Sequence, residues 1–109
     1  MYEYRAYVRK IYDGDTITVD IDLGFDTILH KQKIRLTKIN APEVRGAQRE
    51  KGLKSRDALR EKIGNKWVVL KTAQDKKGTF GRWLGEIFVE ELSVNDWMLS
   101  EGHAKEYKK

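Results

Sequence analysis

Two carboxylates and two arginines stand out for the chemistry they could do together: Asp15, Glu43, Arg35 and Arg82. Hydrolysis of a phosphodiester needs charge neutralised on the non-bridging oxygens, which bidentate arginines and a divalent cation supply. It also needs a water deprotonated and aimed in line, work for a carboxylate or a metal. Singly, each residue has a plainer alternative. Asp15 shares its parity with Ile17, Val19 and Ile21, so its carboxylate should face the side that apolar residues fill. That position is costly unless the group is paired or bound to metal; as the last residue of a turn it could equally sit at the rim, in water. Arg35 shares a strand face with Lys31 and Lys33, a stripe that also fits an ordinary solvated face. Arg82 opens a strand after a glycine-containing loop and fits a plain strand-end arginine. Glu43 follows Pro42, the one proline of the chain, whose fixed φ stiffens the segment "INAPEVRG". Solvent is the common surrounding of such a glutamate.

The elements that must position these groups follow from periodicity. "YRAYVRKIYDGDTITVDIDLG" reads as two strands joined at Asp13-Gly14, a strong hairpin signal. Ile17, Val19, Ile21 and Leu23 alternate with Thr16, Thr18, Asp20 and Asp22, which predicts one buried and one wet face. "ILHKQKIRLTKI" gives a third strand, with His30, Gln32, Ile34 and Leu36 on one face and Leu29, Lys31, Lys33 and Arg35 on the other. Residues 39–51 read as a loop. "GLKSRDALREKIG" predicts a helix stopped by Gly64, "KWVVLKT" a fourth strand and "RWLGEIFV" a fifth, with the polar loop "AQDKKGTFG" between them. "SVNDWMLSEG" predicts a closing helix, capped by Ser93 and ended by Gly102. The terminal "KEYKK" is expected to fray. The expected class is mainly β within α+β: a five-stranded, OB-fold-like Greek-key barrel in one domain over residues 1–109, with one helix between strands three and four and a second at the C-terminus.

Composition narrows the partners. The chain of 109 residues has no cysteine, which excludes disulfide staples and thiolate zinc sites. Its two histidines, His30 and His103, are far apart in sequence. "DGDTIT" fails as an EF-hand, because Ile17 and Thr18 stand where an oxygen ligand and a glycine are needed. No apolar run approaches the roughly 20 residues of a membrane span, and no signal-peptide pattern opens the chain. A cytoplasmic location is therefore expected, unless a leader was removed. Lys and Arg outnumber Asp and Glu by 22 to 17, for a net charge of +5. That excess favours a polyanion, most often nucleic acid.

Taken together, "YDGDTITV", "IRLTKINAPE", "DKKGTFGRWLGEIF" and "SVNDWMLSEGHAKEY" resemble, in order and spacing, the staphylococcal nuclease (thermonuclease) family over nearly the whole chain. The resemblance implies an OB-fold, Ca²⁺-dependent phosphodiesterase. It would cut DNA and RNA, single strands preferred, with little sequence preference and 3′-phosphate products. It places Asp15 on a calcium-binding aspartate, Arg35 and Arg82 on the arginines that hold the scissile phosphate, and Glu43 on the glutamate usually assigned as general base. Asn40 falls where the best-studied members carry a second calcium-binding aspartate, and Ala41 where a backbone carbonyl reaches the ion. An amide oxygen still binds calcium, though less strongly than a carboxylate.

Lys33, Lys76 and Lys77 are then expected to draw the strand in, and Phe80 and Tyr107 to contact bases. Phe80 stands where an aromatic residue with a hydroxyl is often found. A monomer with no membrane association is expected. The rival is a non-catalytic OB-fold module that binds single strands without cutting them. Asn40 favours that rival; Asp15, Arg35, Glu43 and Arg82 together oppose it.

Overall fold

The structure, a computed structural model, describes residues 2–72 and 82–107. Strands β1 (Tyr2–Asp13), β2 (Thr16–Gly24) and β3 (Thr27–Leu36) form an antiparallel meander. A two-residue β4 (Ile39–Asn40) follows, then a single 3₁₀ turn and helix α1 (Arg49–Ile63). Next come β5 (Trp67–Thr72), β6 (Trp83–Val89), the short β7 (Leu92–Ser93), helix α2 (Val94–Ser100) and the short β8 (Lys105–Glu106). β5 pairs with β1 and β6 with β5. A parallel pairing of β6 with β3, Ile34 opposite Trp83 and Leu36 opposite Gly85, then closes a five-stranded barrel. Closure removes the open strand edges that invite aggregation. The expected mainly β barrel with two helices is thus the fold observed.

The period-two reading explains the barrel interior. Ala6, Val8, Ile17, Val19, Ile34, Leu36, Leu70 and Ile87 are all fully buried. α1 adds Leu59 and Ile63, below the packed Gly52 and Ser55 on the same stripe. α2 adds Val94 and Met98. Its caps are as expected: Ser93 Oγ accepts the amide of Asp96 at 3.2 Å. Gly102, at φ 76°, lets its own amide and that of His103 bond back to Leu99 and Met98. Gly64 stops α1 for another reason. Its φ is −58°, and an added Cβ would lie 2.4 Å from the Arg60 carbonyl oxygen.

Four expectations need correction. Leu23 is 43% exposed, because β2 has left the barrel by that point, while Asp20 on the supposedly wet face is 4% exposed. The faces expected for residues 29–36 hold only from Gln32 onward: a bulge lies opposite Asp20, and Lys31 has φ 55°. The loop expected over 39–51 is largely structured, holding β4, the 3₁₀ turn and the first turn of α1. The tail does not fray through Tyr107. β8 pairs with β4, and the Tyr107 amide donates to the Lys38 carbonyl at 2.8 Å.

Asp20 holds the bulge. Its carboxylate accepts the Lys31 amide at 3.0 Å and Arg9 Nε at 2.6 Å, and lies 3.3 Å from His30 Nδ1. The Lys31 amide foremost, then Arg9 and His30, outweigh burial and lower its pKa from the ordinary 3.8 to about 2. A carboxylate with a depressed folded pKa stabilises the fold above its unfolded value and loses that contribution as pH falls through the folded value. Asp20→Asn should therefore cost about 1–2 kcal/mol at neutral pH. The deficit should shrink as pH falls from about 4 towards 2, the window set by those two values. Denaturant titrations of both proteins across that range are the check; an unchanging deficit would mean that packing, not charge, sets the cost.

Candidate functional site

The hairpin after β1 delivers Asp15. The residue is 6% exposed, and both oxygens of its carboxylate are hydrogen-bonded rather than hydrated at a rim. One oxygen accepts Thr16 Oγ1 at 3.0 Å; the other accepts the Ala41 amide at 2.8 Å and lies 3.4 Å from Arg35 Nη2. The hairpin can come this close to residue 41 because residue 14 is glycine. A Cβ there would lie 2.0 Å from Ser55 Oγ of α1 and 2.7 Å from the Ala41 Cβ.

Asp13 stands beside it. Its Oδ1 accepts the Asp15 amide at 3.0 Å, which sets the two carboxyls side by side. Burial, then the neighbouring Asp15 carboxyl, push its pKa up to about 7 against the pull of the backbone amides of Asp15 and Thr16. Two carboxyls held together away from water favour sharing a proton or taking a cation between them.

Arg35 is no member of a solvated stripe. Its side chain is 15% exposed, and Nη1 donates to the carbonyls of Leu36 at 2.7 Å and Ile39 at 3.0 Å. Its Nη2 reaches Asn40 Oδ1 at 3.4 Å as well as Asp15, and the Tyr107 ring lies 5.7 Å from the guanidinium carbon. Arg35 therefore pins the turn between β3 and β4 while presenting charge to Asp15. Arg82, half-buried, reaches Thr16 Oγ1 at 3.4 Å from the far side of the same hairpin.

The stiff loop places Glu43. β4 is tied to β8, Ala41 to Asp15, and the Glu43 backbone rests on α1 at Gly52. A Cβ on Gly52 would lie 2.0 Å from the Glu43 carbonyl oxygen. Helix, loop and hairpin are thus packed backbone to backbone, while the Glu43 side chain is exposed.

A cavity of about 640 Å³ joins them. It is lined by Asp13, Asp15, Arg35, Asn40, Ala41, Glu43, Arg82 and Tyr107, with the 36–39 turn and Leu84. Every site residue expected from sequence and lying within the described residues is here except Lys33. That lysine is exposed on β3 opposite Thr18, two register steps from the Thr16–Arg35 pair. Lys76, Lys77 and Phe80 lie outside the described residues.

Three participants were not singled out in the sequence. Asp13 carries a visible signal: it precedes Asp15 by two residues and so shares its strand parity. Thr16 links Asp15 to Arg82. Asn95 on α2 is fully buried; its amide nitrogen donates to the carbonyls of Thr37 at 2.9 Å and Gly85 at 3.2 Å, and its oxygen accepts the Ile87 amide at 3.1 Å. It locks the 36–39 turn under the cavity. Its signal is a polar residue on the core-facing side of α2, beside Val94.

The donor set, all oxygen, suits a hard, oxygen-seeking cation. Asp13 and Asp15 supply carboxylate oxygens and Asn40 an amide oxygen; lone pairs remain on Asp15 after its hydrogen bonds. Among the described residues no three His, Cys, Asp or Glu side chains converge as a metal site. A cation here would need water or a bound phosphate to complete its shell.

The family model described as staphylococcal nuclease homologue matches residues 33–109. The chain is 34% identical over 83 residues to "Probable staphylococcal-like nuclease CAN3" of Oryza sativa subsp. japonica, covering 76% of this chain and 21% of that protein. It is 29% identical over 116 residues to "Endonuclease YhcR" of Bacillus subtilis (strain 168), covering 96% of this chain and 9% of that one. It is 35% identical over 101 residues to an "Uncharacterized endonuclease" of Haemophilus influenzae, covering 93% of this chain and 51% of that one. The chain thus spans between a tenth and about half of the length of these relatives.

Proposed function

The chain belongs to the staphylococcal nuclease homologues, and from that premise we propose that it is a nuclease. Its cleft would hydrolyse phosphodiester bonds of DNA and RNA, single strands preferred, in a calcium-dependent reaction that leaves 3′-phosphate ends. One observation carries this reading: Asp15, Arg35, Glu43 and Arg82, drawn from four separate segments, line a single cavity. A module that only bound strands would need cations and aromatic rings; it would not need an exposed carboxylate beside two arginines.

In this mechanism the phosphodiester enters between Arg35 and Arg82, whose N–H groups neutralise the non-bridging oxygens. Glu43 takes a proton from the attacking water. The water oxygen bonds to phosphorus as the bond to the 5′ oxygen breaks, and the released 5′ oxygen takes up a proton from solvent. Asp15, Asp13 and Asn40, with the Ala41 carbonyl, would hold the calcium ion. When bound, the ion would neutralise further phosphate charge and polarise the water. Asn40 supplies one formal charge fewer than a carboxylate, so the phosphate itself would complete the site.

Digestion of an end-labelled single strand tests the bond that is broken. Fragments ending in 3′-phosphate and 5′-hydroxyl are expected. Fragments carrying 5′-phosphate would show that the other ester bond is cut and would overturn this direction of attack.

A further inference from the structure

Away from the cleft, the outer face of β1 and β5 carries alternating cations and rings. The Arg5 guanidinium lies 4.7 Å from the Trp67 ring centroid, Trp67 meets Tyr7 edge-on at 5.4 Å, and Arg9 lies 4.9 Å over Tyr7. Core packing does not require these rings: Trp67 is 48% exposed although it stands in the register of a central strand pair, opposite Tyr7. A shallow depression between Tyr7, Arg9, Ile28, His30 and Trp67 adjoins the array. Asp20, the carboxylate within it, is buried against Arg9, His30 and the Lys31 amide, so its charge is already met. Asp22, opposite Arg5, and Glu3, opposite Lys71 and 3.6 Å from its Nζ, are further acids of this face.

We propose that this face is a stacking platform for single-stranded nucleic acid and holds the strand on its way to the cleft. Rings interleaved with arginines bind such strands without sequence preference, the rings through base faces and the cations through phosphates. Register links the platform to the site. From Tyr7 the sheet leads past Lys10, Thr18 and Lys33, which are aligned across three strands, to Asp13 and Arg35 in the cavity wall, with Thr16 paired between them. Six strand steps make roughly 20 Å, a span of several nucleotides. Lys33 thereby finds its place: it lies along the path, outside the cavity lining.

The proposal rests on the nuclease reading for the strand's destination, but binding is measurable without cleavage. The full chain in excess chelator is titrated into a fluorescent oligothymidylate longer than that path. Wild type should bind, Trp67→Ala should weaken binding roughly tenfold, and Trp67→Phe should retain most of the affinity. Arg5→Ala should reduce the slope of log affinity against log salt by about 1. Equal affinity of folded Trp67→Ala and wild type, or no binding by wild type, would overturn the platform. So would a wild-type dimer that Trp67→Ala dissolves without affecting oligonucleotide binding. Trp67-dependent binding by a protein that never cuts would leave the platform standing and remove the nuclease.

Discussion

Glu43→Gln is expected to slow strand cleavage by about 10²–10⁴-fold, the usual contribution of a general base, while leaving the fold intact. The amide keeps the size and hydrogen-bonding reach of the carboxylate and removes only its basicity. The position favours a clean result. The loop is held through backbone, by the Ala41 amide on Asp15 and the Glu43 carbonyl against Gly52, and the Glu43 side chain is exposed. Stability should change by less than about 0.5 kcal/mol, as for other surface substitutions. Initial rates on a single-stranded substrate, with a denaturation curve for each protein, separate the cases. Cleavage within a few-fold of wild type would return Glu43 to the status of a loop residue.

Arg82→Lys should lower turnover by roughly a hundredfold or more although the charge is kept. Lysine is a point donor and cannot reproduce a planar fork on two phosphate oxygens. Arg82 is the sharper of the two arginine tests. Arg35 also donates to the Leu36 and Ile39 carbonyls, so its replacement would loosen the 36–39 turn and confuse stability with catalysis. The check is kcat for Arg82→Lys on a saturating substrate, alongside unfolding of both proteins. Near wild-type turnover in a folded variant would mean that Arg82 contributes only general positive charge.

The barrel was legible where one physical rule acted alone. Alternation from Ile17 to Ile21, the Asp13-Gly14 turn and the caps Ser93 and Gly102 all act locally, and all appear in the structure. The failures share a cause: contacts between distant segments. The bulge opposite Asp20 depends on a carboxylate eleven residues away from the amide it holds. β4 and β8 are too short to show a period and exist because each pairs with the other. Gly52, a weak helix former, hid the first turn of α1. It is glycine because the Glu43 backbone rests against it.

The site followed the same division. Asp15, Arg35, Glu43 and Arg82 were visible as residue types, but only the closed barrel puts the end of β3 beside the start of β6 and so brings the two arginines together. The alternatives left open for Asp15 and Arg35 were decided by burial and hydrogen bonds that no local pattern encodes. Asn95 serves three backbone groups on two other elements, so its role needs the tertiary structure.

Cleavage of an end-labelled single strand of DNA, followed first with calcium, then with excess chelator, then with calcium restored, tests the central claim most directly. Asp13, Asp15 and Asn40 offer only hard oxygen ligands, and a cation held between the two carboxyls would offset their negative charge towards the incoming phosphate. The predicted result is fragmentation with calcium, none with chelator, and recovery when calcium returns. Undiminished cutting in chelator would contradict the metal's role, and an intact strand under all three conditions would contradict the nuclease itself.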